Sequence, residues 1–279
     1  MAKGVKRFFG DPTAIQKNYL ISDFLRDVSG LPVVASVHVQ VGVEETQSVQ
    51  ETAWLQSVAG SSDSKGMPNA IVAFCDLSAD NAEEVLNQQK AYSNLRGIRQ
   101  IVGRSPEEDK LTGTDGLLRN TEWKRNLSYL AEQNLSFDLQ LIPSQMHEVA
   151  EVLQEIPNLK VALCHCGSPF DQSQDGLQKW RDGLSKLAGF PNVHCKISGF
   201  GMFDNHWTTN SIKPIVETVF DVFSPERCMF GSNFPVDRLY SDYARLYEAY
   251  FDISSVLSNT DRELVFFNNA QGFYSVEIS

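Results

Sequence analysis

Apolar runs of strand length recur seven times in this chain, beginning near residues 33, 70, 95, 135, 159, 192 and 227, and a stretch of helical spacing separates each from the next. Few folds accommodate that alternation. A strand, a crossover helix and a second, parallel strand form a right-handed unit, and chains of such units close into an eight-stranded barrel or lie as an open doubly wound sheet. The number of units favours the barrel, one strand short. Because the helix over 19–28 already precedes the first strand, the absent strand is expected upstream of Met1. The expected fold is α/β, a (β/α)8 TIM barrel lacking its first strand, in one domain over residues 1–279 that is incomplete at its N-terminus.

Helical spacing is found over 44–59, 81–92, 122–133, 144–155, 177–188 and 213–223, with further helices from 243 and 261. Residues 1–16 and the Gly- and Asp-rich stretch after residue 101 read as loops. With 42% apolar residues the chain can fill a large core. Its formal charge, 24 − 35 = −11, is spread along the helical stretches and would repel phosphates, so a nucleic-acid partner is not expected. No apolar run approaches the roughly 20 residues of a bilayer span, and no membrane association is expected. Five cysteines without Cys-x-x-Cys spacing fit reduced thiols and a cytoplasmic location.

The run over 159–165 ends on His165 and breaks at Gly167 and Pro169, as a buried strand does when it hands a polar side chain to a loop. Alternation puts Val161, Leu163 and His165 on one face and Ala162, Cys164 and Cys166 on the other. The Cys-His-Cys sequence therefore does not clip a metal, its donors pointing apart, and the environment of His165 excludes both cysteines, which read as small buried hydrophobes.

If all strands run parallel, their ends bring His38, Gln40, Asp76, Arg99, Asp138, Gln140, His165, Lys196, Ser198 and Asn233 to one mouth. Of these, His38, Gln40, Arg99, Gln140 and Lys196 are candidates to hold a small-molecule substrate. His38 also suits a satisfied core histidine, and Asp76, Asp138, Arg99 and Lys196 also suit an ion-pair network that holds the barrel. His194 is expected deeper in its strand, and His147 exposed on a helix. Phosphate loops, dinucleotide fingerprints and the Gly-x-Ser-x-Gly elbow are absent.

Taken together, Ser36-Val37-His38-Val39-Gln40, Leu95-Arg96-Gly97-Ile98-Arg99, Ser136-Phe137-Asp138-Leu139-Gln140, His165-Cys166-Gly167-Ser168-Pro169, Cys195-Lys196-Ile197-Ser198-Gly199 and the segment from Met229 to Asp237 resemble the lactonase-like branch of the amidohydrolase superfamily. The resemblance implies a barrel that hydrolyses a lactone, or less often an amide, with water activated at its mouth. Family members use a His-x-His pair on the first strand, a histidine closing the sixth and an aspartate on the eighth; some hold a divalent metal there. His165 matches the sixth-strand histidine. No His-x-His occurs in this chain, and Asn233 stands where the aspartate is expected.

What the resemblance implies for this chain is that His165 polarises the substrate carbonyl or ligates a divalent metal such as zinc. Asn233 then positions the water, and Arg99 with Lys196 binds an acidic substrate. An amide is no base near neutral pH, which leaves the proton to a histidine of the absent pair or to Asp237 if its loop folds inward. The expected activity is hydrolysis of a lactone, or amide, of a small acidic substrate. The alternatives are an inactive truncated homologue and a metal-dependent decarboxylase.

Overall fold

The computed structural model describes residues 7–278. Seven strands, β1 (Val37–Val39), β2 (Ala70–Ala73), β3 (Leu95–Ile101), β4 (Ser136–Gln140), β5 (Val161–Leu163), β6 (Val193–Ile197) and β7 (Cys228–Phe230), form one sheet in chain order. Every neighbouring pair is parallel, giving a curled, TIM-barrel-like sheet as the alternation predicts. β1 and β7 do not pair with each other, so among the described residues the ring stays open where an eighth strand would lie. Residues 1–6 of the loop expected over 1–16 lie outside the described residues.

Register follows from which side chains each face must bury. Partners across a parallel ladder point the same way, so the pairs Val37–Ala70, Val39–Val72, Arg99–Asp138, Ala162–His194 and Lys196–Met229 line the lumen. The alternate positions Ile71, Ile98, Phe137, Leu139, Val161, Leu163, Cys195 and Phe230 bury against the helices, with Trp123, Leu184, Val216 and Tyr250 in the same core. A strand buried on both sides is a near-continuous apolar run. β1 is the exception, shorter than the run over 33–41, because it has a ladder on one side only.

The outer layer consists of α1 (Ile21–Asp27), α2 (Ser48–Ala59), α3 (Ala82–Gln89), α4 (Pro106–Thr112), α5 (Thr121–Glu132), α6 (Met146–Glu155), α7 (Gln174–Ala188), α8 (Thr209–Phe223), α9 (Tyr243–Ile253), α10 (Asn259–Glu263) and α11 (Asn269–Phe273). α4 falls where a loop is expected. It lacks an apolar stripe and is specified by its ends: Ser105 Oγ accepts from Glu108 N, Pro106 and three acids occupy the first turn, and Gly113 closes it at φ 73°.

Two segments cross the ends of the sheet. At the mouth, Arg7 pairs with Glu108 at 2.9 Å, Phe9 O accepts from Tyr240 OH at 2.5 Å, and Phe8 meets Phe170 edge-on at 5.6 Å. At the opposite end, Phe273, Tyr274 and Val276 turn back into the lumen against Ala70, Val72, Ala162 and Met229.

Gly97 marks a close approach between β3 and β4. A methyl group there would lie 2.1 Å from Ser136 Oγ and 2.8 Å from the Ser136 carbonyl oxygen. Gly97→Ala is expected to destabilise the protein by about 1–3 kcal/mol in urea denaturation, since that carbonyl belongs to the ladder and cannot yield without breaking it.

Candidate active site

β5 stops at Leu163, and His165, Cys166, Gly167 and Ser168 then follow with φ of 53°, 55°, 67° and 59°. Left-handed backbone costs a non-glycine residue on the order of 1–2 kcal/mol, and local hydrogen bonds hold the turn. Ser168 N donates to His165 O at 2.9 Å, and the buried Trp180 Nε1 donates to Cys166 O at 2.7 Å. Strict alternation would have put His165 with Val161 and Leu163, which face the helices. The turn swings the imidazole instead to Ser198, Nδ1 lying 2.8 Å from Oγ.

The same turn corrects the separation expected between His165 and the cysteines. Cys164 ends the extended run on the lumen side, within the fields of Lys196, Asp138 and Arg99, and the two cations among them also act on His165. Of the two cysteines, Cys166 alone packs in the outer core. All five cysteines are free and buried.

Burial, then Lys196 and Arg99, hold the His165 imidazole well below the ordinary histidine range, so it is neutral at pH 7. Gly199 lets the ring approach. At φ 75°, it would place any Cβ 2.7 Å from His165 Nδ1.

Below the imidazole lies a buried charge pair. Asp138 is 0% exposed. Lys196 Nζ donates to its Oδ2, and Tyr274 OH donates to the carboxylate, 2.9 Å from Oδ2 and 3.1 Å from Oδ1. Burial lowers the Lys196 ammonium, but Asp138 outweighs it and leaves the group above its usual value, firmly protonated. Arg99 spans the neighbouring strand ends, Nη2 donating to Gln40 O at 2.7 Å and Nη1 to Gln140 Oε1 at 3.4 Å. Its Nε is buried without a partner. Arg104, five residues on and unmarked by the sequence reading, has Nη1 in the same condition; burial, Arg7 and Arg99 lower it. A second arginine so close behind the first was the signal available.

Other expected mouth residues lie elsewhere. His38 pairs with Ile71 in register, so it faces the helices, its Nε2 4.0 Å from Glu51 Oε1 on α2. As a substrate contact it is corrected: β1 ends just beyond it, and its parity is that of the outer core. Gln40 stays at the mouth, where Oε1 accepts from Gly42 N at 2.6 Å. Asp76 ties its own loop, accepting from Ser78 Oγ at 2.6 Å and from Gln100 Nε2 at 2.8 Å. His194 lies at the far end beside the Phe273 ring, 4.9 Å away, and His147 is exposed.

Asn233 enters the site through Met202. Its Nδ2 lies 3.2 Å from Met202 Sδ, and the Met202 methyl and the His165 ring meet the same side of Gly199. Asp237 Oδ2 accepts from Asn233 N at 2.6 Å and so shapes the loop from within, buried rather than turned toward the mouth. A cavity of about 890 Å³ lies beside the mouth, with Phe8, Ile142, Phe170 and Trp180 among its walls. His165, Arg99, Lys196 and Asn233 are not among them; Phe170, edge-on to Phe203 at 4.8 Å, stands at that boundary.

A divalent metal on His165 does not fit the residues present. Among the described residues no three His, Cys, Asp or Glu side chains converge. The nearby carboxylate, Asp138, is already held by Lys196 and Tyr274, and the charges acting on His165 are cations.

A parallel α/β barrel whose polar side chains gather at the carboxyl ends of its strands defines a class of enzymes that differ in their loops. Within that class, a family model described as amidohydrolase matches residues 12–276. The chain belongs to the amidohydrolase family, as its motifs imply. It is 39% identical over 278 residues to the uncharacterized protein y4mH of Sinorhizobium fredii, covering 99% of this chain and 92% of that protein. It is 26% identical to an L-fucono-1,5-lactonase of Burkholderia ambifaria, over 90% of this chain and 85% of the relative. The crystal structure of a Burkholderia multivorans amidohydrolase with bound zinc superposes with a TM-score of 0.84 at 22% identity, over 97% and 93% of the two chains, which supports the fold. Among the described residues no helix is long and apolar enough to cross a membrane.

Burial pushes the Asp237 carboxyl up to about 6 from an ordinary 3.8, against the opposing hydrogen bond from Asn233 N. A raised carboxyl binds its proton more tightly in the folded state, so stability is greatest below the unfolded value and falls as pH rises through about 6. Between pH 4 and 6 the loss is expected to reach roughly 2 kcal/mol. Asp237→Asn should flatten that slope in thermal melts, and equal slopes for both proteins would refute the assignment.

Proposed function

We propose that this protein hydrolyses a lactone of a small anionic substrate. The observation that carries the reading is a neutral histidine, anchored by Ser198, whose field is set by two cations at the carboxyl ends of the strands. The lactonase relative supports the substrate class. Arg99 and Lys196 bind the substrate carboxylate. Asn233 orients the attacking water through its amide. With Nδ1–H donating to Ser198, His165 Nε2 carries the lone pair that takes the water's proton. The imidazolium so formed then returns a proton to the ring oxygen as the C–O bond opens, releasing a hydroxy acid.

A second reading, a protein that binds such molecules without turnover, is favoured by the open edge between β1 and β7 and by the unmatched metal set. A panel of sugar-acid lactones followed by proton release separates the two. Turnover whose acid limb lies below pH 6.5, reduced at least about 100-fold by His165→Ala, is the expected result. Turnover unchanged in His165→Ala removes the histidine from the reaction. Binding without turnover supports the second reading, and release of carbon dioxide from an aromatic acid would point to decarboxylation.

A further inference from the structure

Tyr274 lies beyond α11, remote in sequence from every strand end, yet its phenol is 3% exposed and reaches the barrel axis. Its hydroxyl is within hydrogen-bond distance of both oxygens of Asp138, whose remaining side-chain partner is Lys196. We infer that Tyr274 is a positioning residue, fixing the Asp138 carboxylate and through it the Lys196 ammonium, so that the C-terminal segment is a working part of the site. The inference rests on the reading of Lys196 as a contact to the substrate anion.

The argument is one of degrees of freedom. A lysine ammonium ends a flexible four-carbon stem, and its position is set by what it pairs with. The Asp138 carboxylate turns about a broad two-fold torsion unless donors hold it. Lys196 alone supplies one such donor, and the protein has buried that carboxylate completely, a state that is costly unless its oxygens are satisfied. The phenol supplies the second constraint.

Tyr274 does not depend on this bond for its own place. Arg96 Nε donates to Ser275 O at 3.3 Å, Val276 N to Gln271 O at 2.9 Å, and Phe273 and Val276 pack against Ala70, Val72, Ala162 and Met229. Removing the hydroxyl therefore leaves the ring anchored while freeing the carboxylate.

The test uses Tyr274→Phe in the full chain. In lysine-labelled protein without substrate, the Lys196 ammonium protons are expected to exchange with water about 10-fold or more faster in the variant. With substrate, KM for a carboxylate-bearing lactone is expected to rise about 10-fold while KM for a neutral lactone and both kcat values stay within about 2-fold. Unchanged Lys196 exchange overturns the inference, as does an equal loss for both lactones. If the wild-type chain hydrolyses no lactone, the proposed function fails, and Lys196 exchange still decides this point. Should Tyr274→Phe not fold, replacing tyrosine throughout by 3-fluorotyrosine, a stronger donor, is expected to move the Lys196 ammonium resonance; an unmoved resonance overturns the inference.

Discussion

A carboxyl group buried beyond the reach of water at the centre of a barrel is costly unless it is matched in charge and in hydrogen bonds. Asp138 meets that condition with a cation from β6 and a phenol from the C-terminal segment, and much of the lumen is arranged around the arrangement. The pair keeps Lys196 protonated, and burial, reinforced by Lys196 and Arg99, keeps His165 neutral. Three strands and a segment from the other end of the chain thus share one electrostatic unit. The expectation that Asp138 and Lys196 form an internal ion pair and the expectation that Lys196 meets substrate describe two faces of that unit.

Most of the architecture was legible because strand-length stretches rich in apolar residues alternate with stretches of helical spacing. All seven strands and their parallel order follow from that property. α4 was missed because its stability resides in its caps: Ser105, Pro106 and Gly113 mark it more clearly than any periodicity. At the site, period-two reasoning served while the backbone remained extended. The parallel strand ends were expected to bring Arg99, Asp138 and Lys196 to one mouth, and the register puts the three on one face.

Period-two reasoning failed where the backbone left the extended region. His165 reaches Ser198 because four consecutive residues adopt positive φ, and three of them are not glycine, so composition gave no warning. His38 was misassigned for another reason: a single edge strand offers no second neighbour from which its parity can be checked. Tyr274 was invisible because its role depends on long-range closure from the far terminus, and Arg104 was passed over although it stands five residues after Arg99.

The unclosed side of the ring is directional. Both of its borders, β1 and β7, run the same way, so a segment aligned with the two of them would extend the same parallel pairing on both sides. Such a segment would send every second side chain inward, between the valines of β1 and Met229 of β7. Any polypeptide that finished the cylinder would thereby also line part of the chamber, making structural completion and the furnishing of its interior a single event.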